Sequence, residues 1–223
     1  MVEDNPVAAL LEERRRDRLG PRPAGGTAPQ RLPAVLMRDE QRELLDRVKR
    51  SKNSTSLRDH ASIALILATG VRCDEVCSLK LQHLDLAYRR LRVVGKGNKE
   101  RQIVFEHAPD VIGVIETWLE DRASLLKWLG LEVDYLFVSR TGRAMTSSLV
   151  YQQVSKYICL AGLQNRISQK GAHVLRHTAT SIMFACHVPI LQIRENLGHG
   201  ELTTTQIYAH LLPQERMVAG SVS

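Results

Sequence analysis

The sequence predicts a mostly α domain that carries a small antiparallel β-sheet, an α+β fold. Three observations predict it. Several long stretches place apolar residues at helical spacing and stop at glycine. One stretch, "LRVVGKGNKERQIVF", changes to two β-rich runs about a Gly-Lys-Gly-Asn turn, the signature of a hairpin. Of the 223 residues, 43% are hydrophobic, which is ample for a buried core.

Taken in order, residues 1–34 are expected to lie outside that domain. Val7, Leu10 and Leu11 fall near one face of a short helix ending in Arg14, Arg15 and Arg16. Residues 19–33, "LGPRPAGGTAPQRLP", are rich in Pro and Gly and have no apolar period, so they read as a linker. The domain is expected over residues 35–217, with 218–223 as a tail and no internal repeat. Its first helix is predicted at 39–48, where Leu44, Leu45 and Val48 share a face. A second is predicted in "SLRDHASIALILATG", opened by Ser/Thr capping candidates and stopped by Gly70. A short helix should follow at 74–80. The hairpin strands are predicted at 91–94 and 102–105, with "DYLFVS" (134–139) as a third strand. Helical periodicity returns at 109–127, 147–161 and 174–186, then in shorter pieces from Pro189 and Glu201.

Composition narrows the functional classes. No apolar run approaches the length needed to span a bilayer, and Glu3 and Asp4 stand where a signal peptide would be basic and then apolar. Cys73, Cys77, Cys159 and Cys186 therefore read as free thiols of a reducing cytoplasm. A net charge of +7 suits a polyanionic partner.

The residues that carry chemistry are spread along the chain. Arg72 sits in "ATGVRCDEV", between two predicted helices, and Lys96 in the hairpin turn "GKGNK". His173 and Arg176 stand three apart in "HVLRHT", so one helical turn projects them to one side. His199 follows "ENLG", and Tyr208 closes "TTTQIY". Taken singly, each basic residue reads as surface; the order and spacing of the set do not.

This pattern resembles the tyrosine recombinase, or phage integrase, family over roughly residues 36–217, with its Xer-like and integrase-like members nearest in kind. The resemblance implies the catalytic-domain fold of that family and a site-specific recombinase that cuts and rejoins DNA through a 3′-phosphotyrosyl intermediate. Tyr208 would be the nucleophile. Arg72 and Arg176 would neutralise the phosphate, since guanidinium forks bind its oxygens bidentately and stay charged. His173 is the implied base, His199 a hydrogen-bond donor to the phosphoryl oxygens, and Lys96 the proton donor to the departing 5′-hydroxyl. An unperturbed phenol makes its phenolate cost about 4 kcal/mol at neutral pH, hence the need for assistance. Glu75 is expected to orient an arginine, and His177, next to Arg176, to support the site or the fold. Lys99 and Arg101 on the hairpin, and Arg14–Arg16 upstream, are expected against DNA, the last three being equally compatible with a solvated helix face. A tyrosyl phosphodiester stores the original bond, so no metal, ATP or other cofactor is expected. Double-stranded DNA is the expected partner, with a tetramer assembling on it and a cytoplasmic, nucleoid-associated location. The apolar tail set Leu211, Leu212, Met217 and Val218 would pack on its own domain or dock on a neighbouring protomer.

Rival readings fit less of the chain. A helix-turn-helix regulator would explain the segment from Val188 to Leu211 but leaves Arg72, Lys96 and His173–Arg176 unaccounted for. A metal-dependent nuclease lacks an acidic pair in a ligand-like setting, and Cys73 and Cys77 fit no tight zinc signature. The resemblance departs from its family in one respect. A separate N-terminal helical domain normally closes around DNA, whereas here only about 35 residues precede the pattern. The chain is expected to be either a minimal recombinase or part of a longer protein.

Overall fold

Glycine stop signals and apolar spacing set the helix boundaries in the computed structural model, which describes residues 34–95, 97, 100–167 and 171–198. The described elements are α1 (Arg38–Lys49), α2 (Ser56–Thr69), α3 (Cys73–Ser78), a 3₁₀ turn (Leu81–His83), β1 (Leu84–Asp85), β2 (Arg90–Val94), β3 (Glu100–Val104), α4 (Val111–Leu129), α5 (Ser147–Leu160), α6 (Ala172–Ala185) and α7 (Ile190–Leu197). The expected N-terminal helix and linker, and the segment from Glu201 onward, lie outside the described residues.

α2 forms the centre of the domain. From Ala61 to Thr69 every residue is buried, as befits a helix apolar on all sides, and it packs against α1, α4 and α6. It ends at Gly70, whose φ of 70° puts it in the left-handed region that glycine enters at little cost. A Cβ there would lie 2.9 Å from Leu197 Cδ2, so the same glycine also permits close approach of α7. The main core gathers Trp118, Phe137 and Tyr157 with the aliphatic residues of α2 and the sheet. A smaller cluster of Ala179, Met183, Phe184, Ile193 and Leu197 joins α6 to α7. Among the described residues no helix is long and apolar enough to cross a membrane.

The sheet is antiparallel in the order β1-β2-β3, with Leu91 opposite Ile103 and Val93 opposite Arg101. Alternation buries Leu91 and Val93 and exposes Arg90 and Arg92. Cross-strand partners share a face, so Arg101 lies on the same inner face as Val93 and Ile103.

The third strand is not the one expected. β1 pairs with β2 through Leu84–Leu91 and Asp85–Arg90, while residues 134–139 make only the single bridges Lys80–Tyr135 and Val138–Ala144. Leu136, Phe137 and Val138 are all fully buried, with no exposed alternate face. Side chains of α4 take the carbonyls a neighbouring strand would have used. Trp118 Nε1 donates to Leu136 O at 2.9 Å, and Arg122 donates to Tyr135 O at 2.8 Å and Val133 O at 2.6 Å.

Candidate active site

Just past Gly70, the chain turns so that Arg72 takes the N-cap position of α3. Glu75, one turn on, reaches back, and its Oε2 accepts the Arg72 backbone N–H at 2.8 Å, the acidic half of a capping box. The same carboxylate receives the Arg101 guanidinium in a two-pronged pair: Nη1 to Oε1 at 2.7 Å and Nη2 to Oε2 at 2.8 Å. The Arg72 side chain makes a longer contact with Glu75 Oε1, 3.5 Å. Burial pushes the Glu75 carboxyl up. The bonds from Arg101 and the Arg72 N–H, with the charges of Arg101 and Arg176, outweigh that and hold it below the usual carboxylate range.

Arg176 emerges from the second turn of α6 and is buried. Its Nη2 donates to Leu197 O at 2.7 Å, and its Nη1 donates to Gly70 O. Arg101 completes a parallel connection, its Nε donating to Asn196 O at 2.9 Å. Two guanidiniums thus link the same pair of segments: the turn from Gly70 to Glu75 and the last residues of α7. Asn196 adds a third tie. Its amide mimics a strand neighbour, with Oδ1 accepting from Val104 N at 3.3 Å and Nδ2 donating to Val104 O at 3.2 Å.

Above these ties lies a cleft of about 1350 Å³, walled by Arg72, Glu75, Gly95, Arg101, Asn196 and Gly198 among others. Gly95 and Gly198 immediately precede Lys96 and His199 in the chain. Arg72 keeps 39% of its side-chain surface accessible, against 14% for Arg101 and 6% for Glu75. The three are therefore not equivalent: Arg72 is presented outward, while Arg101 and Glu75 form the floor.

Of the residues expected from sequence, Arg72, Glu75, Arg101 and Arg176 gather around this cleft or beneath it. His173 is exposed on the first turn of α6, one turn before Arg176, and His177 is half-buried beside it. Lys96, Lys99, His199, Tyr208 and Arg14–Arg16 lie outside the described residues. Asn196 escaped the sequence reading; its one signal was a buried-looking Asn inside the quoted "ENLG". Burial pushes the Cys77 thiol up to about 11 and raises that of Cys73 as well, so neither is a ready thiolate. Among the described residues no three His, Cys, Asp or Glu side chains gather as a metal-holding group.

Residues 34–215 match the model of the phage integrase family. Tyrosine recombinase XerC of Alcanivorax borkumensis is 34% identical over 181 residues, covering 81% of this chain and 57% of that protein. Tyrosine recombinase XerD of Vibrio cholerae serotype O1 is 34% identical over 184 residues, covering 82% and 59%. The chain thus spans a little under three fifths of these relatives' length. Among solved structures, XerA recombinase superposes with a TM-score of 0.68 at 30% identity, over 84% of this chain and 63% of that one. XerH site-specific recombinase bound to its difH substrate, in a pre-cleavage complex, gives 0.66 at 28% identity, over 80% and 51%. With its helical domain, three-stranded sheet and arginine-linked cleft, the chain belongs to the phage integrase family of tyrosine recombinases.

Proposed function

We propose that the protein is a site-specific DNA strand-transfer enzyme working through a 3′-phosphotyrosyl intermediate. The observation that carries the reading is the pair of guanidinium bridges, which bring the Arg72 turn, α6 and the end of α7 into one cleft. Arg72 is the outward-facing cation there and serves as a clamp on the scissile phosphate, with Arg176 beneath it. In the step so assigned, the Tyr208 oxygen forms a bond to phosphorus as the bond to the 5′-oxygen breaks. The phenolic proton passes to His173, Lys96 supplies a proton to the leaving oxygen, and His199 donates a hydrogen bond to the phosphoryl group. The proposed partner is double-stranded DNA; the XerH neighbour is bound to its difH substrate. Assembly of four protomers on DNA and a cytoplasmic, nucleoid-associated site of action belong to the same proposal. The family match and the recombinase relatives give a helix-turn-helix regulator no support.

The test is capture of a covalent complex. The protein is incubated with a library of nicked duplexes from its own genome, and protein-linked DNA is recovered under denaturing conditions and sequenced. A single recovered sequence family, absent with Tyr208→Phe while that variant still binds the recovered duplex, is the expected result. Covalent linkage surviving in Tyr208→Phe would move the nucleophile to Tyr88, Tyr135, Tyr151 or Tyr157.

A further inference from the structure

A basic residue on a hairpin that borders a DNA-cutting site is naturally taken for a phosphate contact, and Arg101 reads that way in the sequence. Its surroundings argue otherwise. It lies on the inner face of β3, opposite Val93, and its side chain is only 14% exposed. Both Nη atoms are held by the Glu75 carboxylate, and Nε by the Asn196 carbonyl. A Cβ placed on Gly198 would sit 3.6 Å from the guanidinium carbon, so the backbone ahead of His199 passes close to it. Three N–H donors on three acceptor atoms, from two elements foreign to its own strand, fix a planar group in one orientation. A flexible phosphate-seeking arginine does not have those partners.

We infer that Arg101 is a positioning residue that joins α3, β3 and the end of α7 and makes no contact with DNA. What it positions follows from the chain. Through Glu75 it fixes the cap that holds Arg72. Through β3 it fixes one leg of the hairpin whose turn carries Lys96 in sequence. Through Asn196 it fixes the backbone that leads into His199. Asn196 assists by holding Val104, three residues along the same strand, so β3 is pinned at two points. This inference rests on the proposed recombinase reading, and specifically on Lys96 as the acid.

The experiment compares Arg101→Gln, Arg101→Lys and Lys96→Ala on two properties. The first is the slope of log affinity against log salt for a random-sequence duplex. A lost phosphate contact lowers that slope by about 0.9, and Lys would preserve it as a point charge. The second is cleavage of the recovered target duplex, made either with ordinary phosphate or with a 5′-bridging phosphorothiolate, whose sulfur leaves without a proton. Positioning predicts an unchanged slope for both Arg101 variants. It also predicts slower cleavage of ordinary DNA by both, on the order of a hundredfold for Gln, with the share of that loss that runs through Lys96 recovered on the phosphorothiolate and the share that runs through Arg72 and His199 remaining. A slope reduced in Gln but kept in Lys, with cleavage kept in Lys, would show a phosphate contact and overturn the inference. Equal impairment of Arg101→Gln on both substrates, while Lys96→Ala is rescued, would overturn it too and leave the parent reading intact. Failure of Lys96→Ala itself to be rescued removes Lys96 as the acid, and the inference falls with it. A cooperative urea-unfolding transition certifies that each variant is folded.

Discussion

Glu75 gathers three groups at the candidate active site onto one carboxylate. It is nearly buried, yet its two oxygens serve the Arg72 backbone, the Arg101 fork and the Arg72 side chain at once. Because its folded-state pKa is lowered, its stabilising contribution is complete above the ordinary value near 4.5 and is lost as pH falls through the lower folded value. Replacing it with Gln exchanges an ionised acceptor for an amide that must turn a donor toward Arg101. The expected cost at pH 7 is about 1–3 kcal/mol, shrinking as the pH is lowered below 4.5. Urea unfolding of Glu75→Gln and the parent from pH 7 to pH 3 checks this. A pH-independent difference would mean that the carboxylate's charge contributes nothing. Asn196 offers a second case. Asn196→Ala strips the Val104 N–H and carbonyl of their partners and is expected to lower stability by about 1–3 kcal/mol, read from the same unfolding curves.

At the level of elements, Gly70 is a junction that several elements share. Its φ of 70° and its missing side chain, where a Cβ would lie 2.9 Å from Leu197 Cδ2, let helix α2, the Arg72 turn and α7 meet at one point, where its carbonyl also receives Arg176. Gly70→Ala adds a methyl at a left-handed residue facing a packed leucine. A loss of about 1–3 kcal/mol in unfolding free energy is expected, with a fall in cleavage larger than the fall in DNA binding. This stop was legible in "LATGVR" because glycine after an apolar helix is a local signal. The hairpin was legible for the same reason, two β-rich runs about a Gly-Lys-Gly-Asn turn. The strand expected at 134–139 was not a strand because a short apolar run reads alike whether it joins a ladder or crosses the core. Only the long-range bonds from Trp118 and Arg122 decide between them. Arg101 was legible only in part. Its charge suggests a DNA contact, while its period-2 alignment with Ile103 and Phe105 points inward, and the Glu75 partner that settles its orientation lies 26 residues away.

Over the whole molecule, the described residues form one body around α2, and they present their cleft on one side. A single domain of this kind reaches one side of a duplex, where most contacts are to phosphates, which position the protein but carry little sequence information. The 223-residue chain is therefore expected to bind its recovered site weakly at physiological salt, with a small preference over random DNA. A longer version bearing an N-terminal helical domain should raise the specificity ratio, and it should steepen the salt slope by about 0.9 for each phosphate contact added. Filter binding from 50 to 300 mM salt, on target and random duplexes, measures both. Tight and selective binding by the 223-residue chain alone would require residues 1–33, with Arg14–Arg16, to supply the second grip.

Tyr208, which follows α7 in the sequence, is proposed to attack a phosphate held over the arginine-linked cleft, and locating the covalent bond tests this most directly. The protein–DNA adduct on the nicked duplex is digested with nuclease and trypsin, and the nucleotide-bearing peptide is identified by mass spectrometry. Cleavage after Arg194 and Arg216 releases residues 195–216, in which Tyr208 is the sole tyrosine. The nucleotide remnant is expected on that peptide, at Tyr208. A remnant on a peptide carrying Tyr88, Tyr135, Tyr151 or Tyr157, or no covalent adduct with any duplex, would contradict it.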